Sequence, residues 1–323
     1  MDWRIFSLRK LIISFSALVL IAAAACLSVY MFRQSAKPAD ELTYTFTNAE
    51  TGQKFNIISV YKLFADYIAE AKTGSNPNLS SIYKKTVIDP VYSSCFKDAE
   101  FGHMADDLIN QAPDKLIELN QLTQQLSKHN INELIQESLL KSSSILPGEK
   151  PVNICVFPAI SPKFLMLTAG VGKIIVPYSF YLTDDMIRVG IAHEYHHHIW
   201  AEKYLTPETT FRILDNVVFE GKAVMFEKLI YPDIESTFIY PEYNKKYWSR
   251  TEPYLQGTNY DMQSKILYGN GNGNEYPNAY GYSEGYKMVL SYLDLHPEAS
   301  PAEWTALSAE TIFEEGHYSD HYK

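Results

Sequence analysis

A run of 22 residues without a charged side chain, residues 11–32, constrains the chain more than any other feature of its sequence. As a helix it would be about 33 Å long, enough to cross a hydrocarbon core. Arg4, Arg9 and Lys10 precede it and only Arg33 follows closely, so the positive-inside rule keeps the N-terminus in the cytoplasm and places everything after it outside. Two other readings share that destination. Ala23, Ala24 and Ala25 offer small residues for signal-peptide cleavage, and Cys26 offers a lipobox cysteine. The position three before Cys26 is Ala, however, and the apolar run continues through Val29, Tyr30, Met31 and Phe32, which favours a retained single-pass anchor in the cell membrane over a secreted product.

The rest of the chain is acidic. Positions 1–33 hold four basic residues and one acidic one, so of 28 basic and 38 acidic residues the remainder keeps 24 and 37, a net charge of −13. No broad basic field is left to neutralise phosphates, and nucleic acid is excluded as a partner. Residues 34–41 (QSAKPADE) read as a polar linker. With no repeat or low-complexity tract after it, residues 42–323 read as one catalytic domain of two lobes.

Apolar spacing separates the elements. Tyr61, Phe64, Ala65 and Ile68 keep helical spacing, as do Leu119, Leu122 and Leu126, and then Ile131, Leu134, Ile135 and Leu139. Residues 151–157 (PVNICVF) alternate and residues 173–176 (KIIV) are β-branched between Gly172 and Pro177, so both are strands. Thr183 caps the next helix, whose first turn holds Asp184 and Asp185 and which runs to about Glu202.

That helix carries His193-Glu194-Tyr195-His196-His197, an HExxH pattern. Histidines at i and i+4 project from one face about 5–6 Å apart and can reach one tetrahedral Zn²⁺, while Glu194, about 100° round the helix, lies beside the ion as a general base. Four of the nine histidines fall between positions 193 and 198, so a solvated histidine cluster is the competing reading. Met186, Val189, Gly190 and Trp200 share the face of His193 and His197 and make it apolar, and buried histidines need partners.

Catalytic zinc sites keep three protein ligands and one open position. The extended HExxHxxGxxH pattern is absent, so the third ligand lies downstream. Thr206-Pro207-Glu208 reads as the start of a second helix that ends before Pro232, and on it Glu220 stands 23 residues after His197, followed by the small residues Gly221 and Ala223 that let the two helices approach. Ile213, Asn216, Val217, Val224 and Glu227 give it a face that is not solvated. Glu227 is the fallback ligand, and Asp215 or Asn216 are candidate orienters.

HEYHH, then DNVVFEGKA, then GYSEGYKMVLSYL at residues 281–293 resemble the YjaZ-like family of predicted Zn-dependent proteases, in which HExxH is followed by an EGLA-type and a late GYxxGY-type motif. The likeness spans roughly residues 60–318, with an early match at residues 87–90, and is more distantly similar to the gluzincin arrangement of thermolysin-like peptidases. It implies an α+β, mainly helical zincin-like domain with a small β-sheet, zinc held by His193, His197 and Glu220, and Glu194 as base. Lys222 stands where that family usually has an apolar residue.

Hydrolysis also needs a group to stabilise the oxyanion. Tyr282 is the leading candidate in the segment containing Tyr280, Tyr282 and Tyr286, with His296 and His317 behind it. The residues 269–274 (GNGNGN) lack the Lys-Ser/Thr of a phosphate-binding loop and read as a loop near the cleft. Cys95 and Cys155 read equally as a disulfide or as two buried thiols. The strand at 173–176 is expected to be the edge that pairs with an extended substrate. Together these readings describe an extracytoplasmic, membrane-anchored zinc metallopeptidase acting on a peptide or protein. The alternatives are a zinc-stabilised surface scaffold without turnover and a zinc hydrolase for another bond.

Overall fold

The computed structural model describes residues 39–73, 75–235, 237–269 and 275–323. The apolar run at 11–32 and the glycine-rich residues 270–274 lie outside them. Among the described residues no helix is long and apolar enough to cross a membrane. A four-residue helical turn, Ala39–Leu42, belongs to one compact unit, and Thr43–Lys323 form the other.

The larger unit is mostly helical around one five-stranded sheet. Its strands are β1 (Thr43–Thr47), β2 (Lys54–Ile58), β3 (Val152–Pro158), β4 (Leu167–Gly170) and β5 (Lys173–Tyr178), in the order β1-β2-β3-β5-β4. β2, β3 and β5 run parallel, and β1 and β4 pair antiparallel at the two edges. β3 is central and nearly continuous in its burial, as a strand covered on both faces must be. The expected strands at 151–157 and 173–176 are β3 and β5. The edge assignment is corrected: β5 is flanked on both sides, and the edge beside it is β4, whose four residues LTAG are too short and too small to signal a strand.

Among the described residues six longer helices follow the sheet or cross over it: α1 (Leu116–Leu126), α2 (Ile131–Ile145), α3 (Asp184–Tyr204), α4 (Ile213–Ile230), α5 (Tyr260–Tyr268) and α6 (Tyr280–Leu295). Thr183 caps α3 as expected, its hydroxyl accepting from the Met186 N–H at 3.2 Å. Ile187, Ile191, Tyr195 and Ile199 recur every fourth residue and lay one stripe of α3 on the sheet core with Ile154, Val156 and Val176. The opposite stripe, with His193 and His197, faces α4.

The second helix starts later than its Thr-Pro-Glu signal suggests. Thr206 and Thr209 close a turn on themselves, and α4 begins only after Arg212, whose backbone N–H donates to the Asp215 carboxylate at 2.8 Å. One of the small residues of α4, Gly221, also serves a different neighbour from the one expected. Gly221 meets α6, not α3: a Cβ on Gly221 would overlap the Gly285 carbonyl carbon, and one on Gly285 would overlap the Val217 carbonyl oxygen. Backbone therefore lies on backbone where the two helices cross.

Cys95 and Cys155 are disulfide-bonded, which ties the short helix Asp89–Cys95 to the central strand β3. At the other end of the unit, buried Glu284 of α6 accepts from the hydroxyls of Tyr318 (2.6 Å) and Tyr322 and pairs with Lys287. The last turn of the chain is thereby fixed to α6.

The glycine crossing sets the first test. Gly221→Ala should destabilise the protein by about 3 kcal/mol or more, because neither backbone can retreat. Thermal unfolding of this variant beside Ala223→Gly would show it, and a melting temperature unchanged from wild type would contradict the crossing.

Candidate metal centre

His193 and His197 stand one turn apart on α3, and Glu220 reaches them from α4. Nε2 of His193 and Nε2 of His197 are 3.1 Å apart, and Glu220 Oε2 is 3.2 Å from each. The three atoms form a near-equilateral triangle in a buried setting. A tetrahedron with bonds of about 2.0–2.1 Å has edges of about 3.3 Å, so the donor set and its spacing fit Zn²⁺.

Second contacts fix these side chains. His193 Nδ1 lies 3.0 Å from Glu227 Oε2, and Glu227 Oε1 accepts from the Thr237 N–H at 3.0 Å. With its Nδ1–H turned to a carboxylate, His193 presents the Nε2 lone pair to the centre. Glu227, expected as the fallback ligand, is thus the residue that orients His193. His197 is held instead by its ring, stacked on Phe219 with centroids 4.1 Å apart.

Burial disfavours charge on His193, yet the Glu220 and Glu227 carboxylates outweigh it and hold the ring well above the usual imidazole range. In the same way burial raises Glu220, and the two imidazoles more than reverse this, bringing the carboxyl down to about 2. Glu227 is likewise lowered against its burial by His193.

The other two histidines of the cluster are structural. His196 lies 3.2 Å from the Thr305 hydroxyl and stacks on Trp304, and burial keeps it well below the usual range. His198 Nδ1 accepts from the Gly172 N–H at 3.0 Å, and its Nε2 faces Glu202. None of the four is solvated, so the reading of the cluster as a surface patch does not hold.

Glu194 is outside the triangle, as its helical position requires. Its Oε2 accepts from the Thr168 hydroxyl of β4 at 2.8 Å. Tyr282 lies on the other side, its ring stacked on His193 with centroids 6.1 Å apart. Burial first, and then the Glu220 carboxylate, push its hydroxyl well above the usual range, so it stays protonated. Its ring lies against that of Tyr268 at the end of α5, centroids 6.2 Å apart, and burial and then Glu220 raise the Tyr268 hydroxyl as well.

Thr168 and Tyr268 were not legible as site residues. One lies in a strand too short to read, and the other is one of 24 tyrosines. The remaining candidates fall elsewhere. Asp215 pairs with Arg212, and Asn216 donates to the Arg212 carbonyl. Both serve the start of α4 and orient neither histidine. Tyr286 lies under Lys228, His296 stacks on Tyr292, and His317 occupies a left-handed turn at φ 51°. Lys222 is buried with its ammonium donating to the carbonyls of Thr305 (3.0 Å) and Leu307 (2.6 Å), an unconventional cap on the helix Pro301–Ala306.

Residues 131–314, more than half of the chain, match the family described as predicted Zn-dependent protease (DUF2268). The chain belongs to this family. The match starts at α2 and takes in the whole metal centre, whereas residues 60–130 of the broader sequence likeness fall outside it. No curated protein and no solved structure matches the chain.

Glu227→Gln keeps the shape of the contact and removes its charge. Zinc affinity should fall roughly 10- to 100-fold, as for other carboxylates that orient a metal-binding histidine. Competition with a fluorescent chelator measures this, and an unchanged Kd would separate Glu227 from metal binding.

Proposed function

We propose that this protein is a zinc metallopeptidase that hydrolyses peptide bonds with Glu194 as general base, its catalytic domain outside the cytoplasm and tethered by residues 11–32. One observation carries the catalytic part of this reading. A carboxylate, Glu194, follows His193 on α3 without joining the His193, His197 and Glu220 triangle, and it is fixed by its own hydrogen bond. A scaffold needs the triangle and has no use for the extra carboxylate.

His193, His197 and Glu220 would hold the zinc, which would supply Lewis-acid polarisation of the scissile carbonyl and lower the pKa of a water to about 7. Glu194 takes the proton from the attacking water as its oxygen bonds to the carbonyl carbon, then delivers that proton to the amide nitrogen as the C–N bond breaks. The Tyr282 hydroxyl, kept protonated and stacked beside His193, donates to the oxyanion that develops between these steps.

Support for the location comes from two independent features. The charge-free run has three basic residues before it and one closely after it, and the Cys95–Cys155 disulfide belongs to the chemistry of oxidising compartments.

Purified residues 34–323 should carry near-stoichiometric zinc and cleave members of a broad peptide library, with activity lost to a chelator and restored by zinc. Glu194→Gln should keep the zinc and lose at least about 100-fold in rate; retained cleavage would sink the mechanism. In intact cells the protein should partition with membranes and react with an impermeant thiol reagent only after reduction. Soluble recovery with free Cys95 and Cys155 would refute the tethered, extracytoplasmic placement.

A further inference from the structure

We propose that Thr168 is a positioning residue for Glu194, its hydroxyl holding one carboxylate oxygen so that the other is presented to the attacking water. This rests on the metallopeptidase reading above. Thr168 lies on β4 and is 5 % exposed, and Glu194 is 8 % exposed. The Thr168 Oγ1 is 2.8 Å from Glu194 Oε2 and also 2.8 Å from the Glu194 backbone oxygen.

A hydroxyl has one proton to donate. Within a helix a carbonyl already has an N–H four residues on as its donor, whereas a carboxylate draws the stronger, charge-assisted bond. The proton therefore belongs on Oε2. Among the described residues no hydrogen bond holds Oε1, which leaves that oxygen to exchange the proton. A glutamate has three side-chain torsions, and a base that wanders among rotamers spends part of its time out of reach. Fixing Oε2 removes that freedom.

The same contact joins β4 to the HExxH helix. The base and the sheet therefore share one rigid support. Phe101 donates its N–H to the Ala169 carbonyl at 2.8 Å and steadies the strand from its outer side.

Thr168→Val removes the hydroxyl and keeps the shape, and Thr168→Ser keeps the hydroxyl and loses a methyl group. The valine variant should retain zinc and lose roughly 10- to 100-fold in kcat with KM nearly unchanged, and serine should restore the rate to within about threefold of wild type. In a Glu194→Gln background the valine change should add little. A role confined to joining β4 and α3 predicts the opposite pattern: serine no better than valine in rate, and an equal valine effect in both backgrounds. Thr168→Ala makes the same comparison where valine is not tolerated.

Crystal structures of zinc-loaded wild type and the Thr168 variants give a readout apart from turnover. Glu194 should leave its rotamer in the valine or alanine variant and keep it in the serine variant, and a carboxylate that stays in place without the hydroxyl overturns the proposal. Wild-type protein that holds zinc but cleaves no peptide would overturn the metallopeptidase reading alone.

Discussion

The crossing of α4 and α6 at Gly221 and Gly285 is the constraint on which the site depends. At this point a side chain on either glycine would occupy the other helix's backbone, so the two axes are closer than ordinary packing permits. Glu220 is the residue before one glycine, and Tyr282 stands three before the other. Closing the crossing therefore places a ligand and a hydroxyl together above His193 without any loop having to position them. Glu284, next to Gly285, extends the same logic away from the cleft. Its buried carboxylate is matched by Lys287 and by the hydroxyls of Tyr318 and Tyr322, so α6 is held by the end of the chain.

α3 is the other half of the arrangement, and its difficulty is that it carries four histidines through a protein interior. Each buried imidazole needs a partner, and the fold supplies a different kind for each. Carboxylates take His193, a stacked Phe219 and the triangle take His197, a hydroxyl takes His196, and a backbone N–H takes His198. Two histidines are thus spent on packing and two face Glu220 in the candidate metal centre, although the four lie within six residues. Helical geometry makes that division: His193 and His197 share a stripe, and their neighbours point toward the sheet and toward Trp304.

That His193, His197 and Glu220 come together was legible because the logic is local or nearly so. An i, i+4 spacing specifies two ligands, and a helical hairpin limits where the third can return from. The parts that were not legible depend on contacts across the sheet or between distant helices. β4 has no β-branched run, and it is a strand because β5 lies beside it. Thr168 can be recognised as a site residue only once that pairing brings it to Glu194. Tyr268 needs the α5–α6 packing in the same way. Gly221 was noticed as a small residue that lets helices approach, but its partner was assigned to the nearer helix in sequence. Only the structure shows that the EGKA and GYSEGY motifs meet through their glycines. Glu227 was recognised as relevant and given the wrong role, because the sequence shows a carboxylate about two helical turns from Glu220 but not which imidazole nitrogen it faces.

The electrostatics of the centre explain why these residues tolerate burial together. Glu220 and Glu227 bring two negative charges into a space from which water is largely excluded, and such charges must be matched. His193 in its protonated form supplies part of the match, which is why its ring lies well above the usual range while Glu220 falls to about 2. A divalent cation is the more complete match, since it answers both carboxylates and takes the imidazole lone pairs that a proton would otherwise occupy. Metal and proton therefore compete for the same nitrogen, and the two acids that make the centre selective for a cation also make its occupancy depend on pH. Glu194 stands outside this arrangement, its carboxylate held by the neutral Thr168 hydroxyl instead of an imidazole.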